Sequence, residues 1–457
     1  MTGMSTSVRE YVRSLDLDAY VVGGAVRDEL LGIPHTDEDF LVPGIDQAGL
    51  RAALESYGRV DDMEVHGQLV GVRFHPHDPA IRAAAPAGIE LTPARAERSV
   101  GPGHRDFAIV ADGTVSLAED LARRDFTVNS LARRLATGEL VDPFGGVADL
   151  ERRELRTVTE HSFRDDPLRI LRGLRLVSQL AFGLAPETLE QMRHEALGLG
   201  HVSAERIGGG IAADGLGELS RLLLGVEPAV ALRLARDTGV LVAFLPELGE
   251  TIGYILDSPR QPVPLDEHLF LVAQAAADAD RSLAVRLAGL FHDVGKPVAD
   301  RWGGSHAAEG ARIAGGVLAR LRYPIRLQRV VTRIIAAHAF HVEGEWDGVR
   351  ARRFLAEHGD KLAFELVALK EADLAAKRVV AVELERSGHV RAALERERGS
   401  AHRMVDLAVD GSDLLEAGFR QGPEVGRVLR RLLDAVLEDP ALNERATLLE
   451  RAKAEIA

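Results

Sequence analysis

Residues 22–39 read Val22-Gly23-Gly24-Ala25-Val26-Arg27-Asp28-Glu29-Leu30-Leu31-Gly32-Ile33-Pro34-His35-Thr36-Asp37-Glu38-Asp39, and further on the chain reads Arg123-Arg124-Asp125-Phe126-Thr127-Val128-Asn129. Ala19-Tyr20-Val21-Val22 is a short apolar strand that runs into the glycine pair. A turn of that kind, between strand and helix, presents bare backbone N–H groups that cradle phosphate. Arg27, one helical turn on, reaches the same phosphates. Gly32 and Pro34 end the helix, which is expected over Val26–Leu31. Asp37 and Asp39 are one residue apart, and a strand continues through Phe40-Leu41-Val42. On a strand the two carboxylates share a side while Glu38 points away. Paired carboxylates form a hard-oxygen site suited to Mg²⁺. Two such ions activate an attacking 3′-hydroxyl and neutralise a leaving pyrophosphate. By itself Asp-x-Asp is most often a solvated turn, and Gly-Gly a plain tight turn. Glycine turn, arginine and carboxylates together point to nucleotidyl transfer rather than to a binding module.

The chain has 457 residues, 46% hydrophobic and 28% charged, with few aromatics and no cysteine. That length predicts several soluble globular domains rich in helix. The absence of cysteine excludes disulfides, thiol nucleophiles and Cys-ligated zinc, and fits a reducing cytoplasm. Met1–Val8 has no apolar core of a signal peptide, and no apolar run is long enough for a bilayer, so no membrane partner is expected. The net charge of −14 argues against nonspecific nucleic-acid binding by the whole surface. Residues 123–175 nevertheless hold eleven arginines against nine acids. They form either one basic groove or a set of solvated helix faces.

Residues 1–145 read as mixed α/β. Strands are expected at Asp39–Val42 and Ile89–Leu91, a hairpin over Val60–Phe74 and a helix over Ala48–Tyr57. Pro93–Asp106 reads as a mobile loop, and Ser116–Arg134 as one helix entered from Ser116. Beyond Asp142-Pro143-Phe144-Gly145-Gly146 the pattern turns helical, with Leu168, Leu171 and Leu174 at helical spacing in Asp166–Leu180. Gly422-Pro423 opens a helix in a charged tail. Pro259–Pro264 is the best linker candidate, and no internal repeat is visible.

The two motifs, with Asp142–Gly146 and Asp165-Asp166-Pro167-Leu168-Arg169-Ile170-Leu171-Arg172, resemble the class II tRNA nucleotidyltransferase (CCA-adding) and bacterial poly(A) polymerase family. The resemblance is dense and in order over residues 19–180. Asp165 stands where the family usually has Glu, Ser130 where Ala is usual, and Glu38 is an unusually acidic middle residue. None of these removes a group the mechanism needs. The resemblance implies that Asp37 and Asp39 bind catalytic Mg²⁺. It implies that Gly23, Gly24 and Arg27 hold the triphosphate, and that Arg124 and Asp125 contact the nucleotide sugar or phosphates. Asp166 and Arg169 would read the base. Asp166, Arg169 and Arg172 are three apart and on a helix form a slowly turning ridge. A carboxylate accepts from an exocyclic amine and a guanidinium donates to a ring acceptor, a pair offered by cytosine and adenine but not by uracil or guanine. Elsewhere this spacing usually makes a helix ion pair. Glu90 is either a third carboxylate or a solvated strand residue. The loop Ala94-Arg95-Ala96-Glu97-Arg98, continuing to Gly101-Pro102-Gly103-His104-Arg105, resembles the flexible loop of enzymes that add the terminal A.

A second site is written in Leu290-Phe291-His292-Asp293-Val294-Gly295-Lys296-Pro297, which resembles the core of the HD phosphohydrolase superfamily. His268 and Asp373 fit the outer ligands of that pattern, and His306 and His338 the extra positions of two-metal members; His341 lies outside it. Imidazole with carboxylate suits Mn, Ni, Fe or Zn better than Mg. A bound metal there implies hydrolysis of a phosphate ester or cyclic phosphate. Gly411-Ser412-Asp413-Leu414-Leu415 and Gly422-Pro423-Glu424-Val425-Gly426-Arg427 look like the C-terminal helices of bacterial family members, where they would serve tRNA docking.

The expected fold is an α/β polymerase-β-like nucleotidyltransferase palm (1–145) followed by all-α parts: a helical neck (146–260), an HD domain (261–375) and a helical tail (376–457). The expected activity is addition of C, C and A to tRNA 3′ ends from CTP and ATP. Poly(A), CC-only or A-only products remain open, because one Asp/Arg pair accepts both C and A. A rival from another class is an HD phosphohydrolase whose palm is a vestigial RNA-binding module. Oligomeric state is not legible.

Overall fold

The computed structural model describes residues 3–35, 38–65, 67–99, 107–110, 113–209, 214–377 and 381–454. Asp37, one half of the carboxylate pair, lies outside the described residues, as does the 100–106 stretch of the loop. Two compact units are present, residues 1–246 and 247–457.

The first unit is built on one mixed sheet. Its strands are β1 (Tyr20–Val22), β2 (Asp39–Val42), β3 (Gly58–Val65), β4 (Gln68–Pro76) and β5 (Ile89–Pro93). A separate two-stranded ladder follows, β6 (Ala96–Ser99) with β7 (Phe107–Val110), and then β8 (Ala132–Arg134) and β9 (Leu140–Val141). The main sheet runs β3-β4-β5-β2-β1-β8-β9. β1 is apolar at every position and buried throughout, as a strand covered on both faces requires. It pairs antiparallel with β2 and β8, while β2 pairs parallel with β5. In this register Val22 lies opposite Asp39, and Asp39 lies beside Glu90. The end of β1, the glycine turn and both carboxylate-bearing strands therefore meet at one end of the central strands.

The hairpin, the β2 and β5 strands and the helix ending at Gly32 stand where the sequence places them. Gly32 adopts φ 68° and its N–H closes on the last carbonyls of the Gly24–Leu31 helix. Two expectations fail. Ser116–Arg134 is not one helix: a capping box at Ser116 starts the Leu117–Ala122 helix, which stops there. Phe126 is extended and bridges to Thr157, and residues from Ala132 return to the sheet as β8. The apolar spacing mimics a helix, but each of these groups is buried by a different neighbour. Pro93–Asp106 is not wholly loop either, because β6 finds a partner in β7 beyond it.

The Leu168–Leu180 helix is buried on most of its surface and packs between the Glu218–Leu223 and Pro228–Asp237 helices. Gly173 is needed there: a Cβ would stand 2.8 Å from the Phe126 ring. Phe126 in turn meets Phe163 edge-on at 6.2 Å. Burying such an aromatic stabilises by about 2–3 kcal/mol, and it joins the Arg123–Asn129 motif to the helix of the Asp165–Arg172 motif.

The second unit is helical. Leu265–Asp278, Leu283–Phe291, Ile325–Ala337 and Asp360–Ala375 pack around one core, flanked by Lys296–Trp302, His306–Arg320, Gly348–His358 and Ala381–Glu397. A smaller core, with Leu414, Leu432, Val436 and Leu448 at its centre, belongs to the last helices. Pro423 sits in the first turn of its helix, as expected. Arg352 is buried and donates to the carbonyls of Leu437 and Glu438 at 2.8 and 3.1 Å, closing that helix's C-terminus. The linker expected at 259–264 is not one. Those residues lie inside the second unit, with Gln261 buried and the Leu265 amide donating to Tyr254. No helix is long and apolar enough to cross a membrane among the described residues.

Candidate active sites

Gly23 has φ 75°, in the left-handed region, and its N–H donates to Leu131 at 3.0 Å. A Cβ there would stand 2.7 Å from an Arg124 guanidinium nitrogen. The glycine thus lets an arginine from the second motif lie against the turn of the first. Arg27 donates through Nε to Asp28 at 2.8 Å and through Nη1 to the Asn129 amide oxygen at 2.7 Å. Asn129 donates onward to Asp125 at 2.9 Å, and Arg172 donates to the other Asp125 oxygen at 2.7 Å. One buried carboxylate therefore orders the glycine-turn helix, the second motif and the Leu168–Leu180 helix together. Burial opposes its charge, but Arg172 and Asn129 hold Asp125 well below the usual carboxylate range.

β2 begins at Asp39, which is exposed at the end of this central strand, whereas Glu38 is engaged by Arg9 at 2.8 Å and His35 at 3.0 Å; the expected pairing with Asp37 lies outside the described residues. The acidic middle residue is thus neutralised by structural partners away from Asp39. Glu90 stands beside Asp39 in register, with its carboxylate on Arg73 at 2.5 Å. An exposed carboxylate opposite Val22, the last residue before the glycine turn, fits the hard-oxygen donors a Mg²⁺ site needs.

The expected Asp166–Arg169–Arg172 ridge is corrected. Asp166 precedes Pro167, which disfavours helical backbone, and it is extended at φ −141°, outside the helix. One oxygen accepts from the Leu168 amide at 3.1 Å, and the other is 3.6 Å from Arg206. Arg169 donates to the Arg123 carbonyl at 2.6 Å and to Ser162 at 3.3 Å, while Arg172 is turned to Asp125. Asp166 and Arg169 remain neighbours at the helix start.

The sequence reading missed Asp120. It is fully buried and accepts from Arg123 at 3.0 and 3.1 Å, from Arg124 at 3.2 Å and from the Arg95 amide at 3.2 Å. Burial opposes its charge, yet the two arginines hold it below its ordinary value. The sequence offers only an acid three and four residues ahead of two arginines, a spacing that does not report burial.

In the second unit all six expected ligands converge. Asp293 Oδ2 lies 3.2 Å from His292 Nε2 and 3.8 Å from His268 Nε2; its Oδ1 lies 3.5 Å from His338 and 3.7 Å from His306. Asp373 Oδ1 lies 3.2 Å from His268 and 3.6 Å from His292. His292 and His338 have Nδ1 2.9 and 2.7 Å from the carbonyls of Gly289 and Ile335, so Nδ1–H donation turns the Nε2 lone pairs inward. The buried Nε2 of His268 and of His292, and Asp373 Oδ1, have no hydrogen-bond partner. Orphaned lone pairs of this kind, on nitrogen and oxygen together, fit a bound transition metal. Asp293 is shared by two ligand groups, His268–His292–Asp293 and Asp293–His306–His338. Burial opposes a charge on His292, but Asp293 and Asp373 push it up to about 9, so a bound metal would take the place of the Nε2 proton. Lys296 approaches Asp293 Oδ2, the oxygen that faces His292, at 2.6 Å, and Lys377 approaches the outer oxygen of Asp373, Oδ2, at 2.7 Å.

Three family models match: the Poly A polymerase head domain over residues 19–156, the probable RNA and SrmB-binding site of polymerase A over 181–251, and the HD domain over 265–377. A multifunctional CCA protein of Xanthomonas campestris pv. campestris is 34% identical over 429 residues, covering 90% of this chain and 95% of that relative. One from Azoarcus sp. is 37% identical over 334 residues, covering 70% and 73%. Among solved structures, the Bacillus stearothermophilus CCA-adding enzyme in complex with CTP matches with TM-score 0.69 and 25% identity, over 100% of this chain and 99% of that one. The Thermotoga maritima CCA-adding enzyme complexed with tRNA shares the fold, with TM-score 0.58 and 20% identity over 100% and 96%.

Proposed function

The chain belongs to the CCA-adding tRNA nucleotidyltransferase family, and from that premise we propose that it extends tRNA 3′ ends with C, C and A from CTP and ATP, releasing pyrophosphate, and that its HD centre is a metal-dependent phosphohydrolase. The observation that carries the first part is the convergence of glycine turn, Arg27, Arg124 and Asp39 at one end of the central strands, tied through Asn129, Asp125 and Arg172 to the helix that follows Asp166. We assign 1–145 to the palm, 146–260 to the neck, 261–375 to the HD domain and 376–457 to a tRNA-docking tail. The work is cytoplasmic.

In this reading Gly23, Gly24 and Arg27 bind the triphosphate, and Arg124 lies against the same turn with Asp120 fixing its direction. Asp37 and Asp39 would hold Mg²⁺, which when bound supplies charge neutralisation of the leaving pyrophosphate and activation of the 3′-hydroxyl. Asp166 accepts from the exocyclic amine of cytosine or adenine and Arg169 donates to the neighbouring ring acceptor. Both must turn from their present partners, Arg206 and backbone carbonyls, to do so. Asp125 positions Asn129 and Arg172 and, with Arg124, borders the nucleotide's sugar or phosphates. In the HD centre His268, His292, Asp293 and Asp373, with His306 and His338, would hold Mn, Ni, Fe or Zn, which supplies a nucleophilic water at neutral pH. Lys296 and Lys377 orient the carboxylates and face the phosphate.

Pyrophosphate release from ATP and CTP, with a tRNA transcript and Mg²⁺, tests the palm. Asp39→Ala is expected to lower it by at least about a thousandfold and to leave HD-catalysed hydrolysis unchanged. Loss of both activities together would contradict two separate centres, and retained transfer would remove Asp39 from the mechanism.

A further inference from the structure

The middle residue of Asp37-Glu38-Asp39 is an acid that the metal chemistry does not use. Its side chain is only 7% exposed. Arg9 Nε donates to Glu38 Oε1 at 2.8 Å, and His35 Nε2 stands 3.0 Å from the same oxygen. Arg9 belongs to the Gly3–Arg13 helix, and its side chain is 21% exposed. That helix is fixed in the first unit: Val12 and Leu15 are buried, and the Tyr11 ring stacks on Phe74 at 6.4 Å. Arg9 Nη1 donates to Glu29 Oε2 at 2.6 Å, and the other Glu29 oxygen lies 2.9 Å from Arg133 of β8. Glu29 stands two residues beyond Arg27 on the Gly24–Leu31 helix. A continuous chain, Arg133–Glu29–Arg9–Glu38–His35, therefore joins β8, the helix behind the glycine turn, the first helix and the segment that enters β2.

The pairing of β1 with β2 starts at Asp39, opposite Val22, so the sheet gives no direction to the residue ahead of it. The Glu38 side chain gives that direction. An exposed ion pair is worth little, but a carboxylate this deeply covered keeps a counter-charge or leaves its place. Released, it would carry the entry of β2 with it and put a further hard-oxygen donor beside Asp39. We propose that Arg9 is a positioning residue for nucleotidyl transfer: by holding Glu38 inward it sets the direction of the metal-binding carboxylates next to it. The inference rests on reading Asp37 and Asp39 as those ligands. The first helix then serves the reaction without touching nucleotide or tRNA. An arginine suits the position because its fork spans Glu29 and Glu38 together, which a lysine ammonium on a flexible stem does not.

The test follows the full-length protein adding one CMP to a tRNA transcript that ends at the discriminator base, in single turnover with saturating Mg²⁺. Arg9→Ala is expected to lower the rate at saturating CTP roughly tenfold, with the half-saturating CTP concentration unchanged. Adding Glu38→Gln to Arg9→Ala is expected to recover most of the loss, because a buried amide needs no counter-charge. Arg9→Lys should fall between wild type and Arg9→Ala. Hydrogen exchange in a peptide covering Glu38–Val42, followed without metal or nucleotide, supplies a readout independent of turnover. It should quicken in Arg9→Ala and slow again in the double variant. Arg134→Ala removes another ion pair of the same sheet, with Asp18 at 2.7 Å, and should change neither readout. An unchanged rate in Arg9→Ala overturns the proposal. So does a loss that Glu38→Gln fails to relieve, since Arg9 would then act only through Glu29. If Arg9→Ala does not fold, Arg9→Lys with and without Glu38→Gln gives the same decision. If the wild-type protein adds no CMP, the nucleotidyl-transfer reading fails, and the exchange rates still decide whether Arg9 holds the entry to β2.

Discussion

At the scale of single residues the palm turns on two buried carboxylates, Asp120 and Asp125, neither of which is offered to solvent. Each takes the charge of arginines that would otherwise be free to rotate, and so fixes the direction of Arg123, Arg124 and Arg172. For Asp125 the burial cost is exceeded by Arg172 and Asn129, so its folded pKa is depressed. A depressed pKa means stability that is fully present above the unfolded value near 3.9 and is lost as pH falls from there through the folded value. Asp125→Asn is therefore expected to cost about 3 kcal/mol at neutral pH, measured by urea unfolding of the two proteins. The gap should narrow as pH is lowered below about 4; a gap constant down to pH 3 would contradict the assigned ion pair. Asp125 was legible because it sits inside a motif. Asp120 was not, because its meaning depends on burial, which the sequence spacing to Arg123 and Arg124 does not report.

At the scale of elements, strands and stops were the legible part. β1 is a short apolar run closed by glycines, the hairpin alternates, and Gly32 and Pro423 mark helix ends for conformational reasons that hold locally. The errors came where a distant partner decides. Ser116–Arg134 carries helical spacing yet is cut by Phe126, which pairs with Thr157, and β6 exists because β7 lies across from it. Asp166 was placed on a helix that Pro167 delays by two residues, to Leu168. That shift matters for base reading, because a carboxylate just before a helix is held by a backbone amide and can reach out of the helix line. Asp166→Ala is expected to raise UTP incorporation relative to CTP by roughly tenfold, the equivalent of one polar mismatch. Unchanged discrimination in a competition assay would remove Asp166 from base reading.

At the scale of the whole molecule the chain joins two chemistries that share no ligand residue. The palm offers oxygen donors and arginines, while the HD bowl offers mixed imidazole and carboxylate donors. The six bowl residues were legible through the resemblance of Leu290–Pro297 to the HD pattern, whose outer positions the other four fit. That Asp293 serves both ligand groups, and that lysines flank the bowl, required the packing of separate helices. Asp293→Ala is expected to end metal-dependent hydrolysis while leaving CCA addition within about twofold; a matching fall in CCA addition would show the centres to be coupled. The central claim concerns the product. The most direct measurement takes three transcripts of one tRNA, ending at the discriminator base, after C and after CC. Each is incubated with CTP, ATP and Mg²⁺, and its 3′ ends are sequenced. Completion of all three to CCA is the predicted result. A first transcript that stops at CC, extension of the CC-ended transcript alone, or long A tails would contradict it.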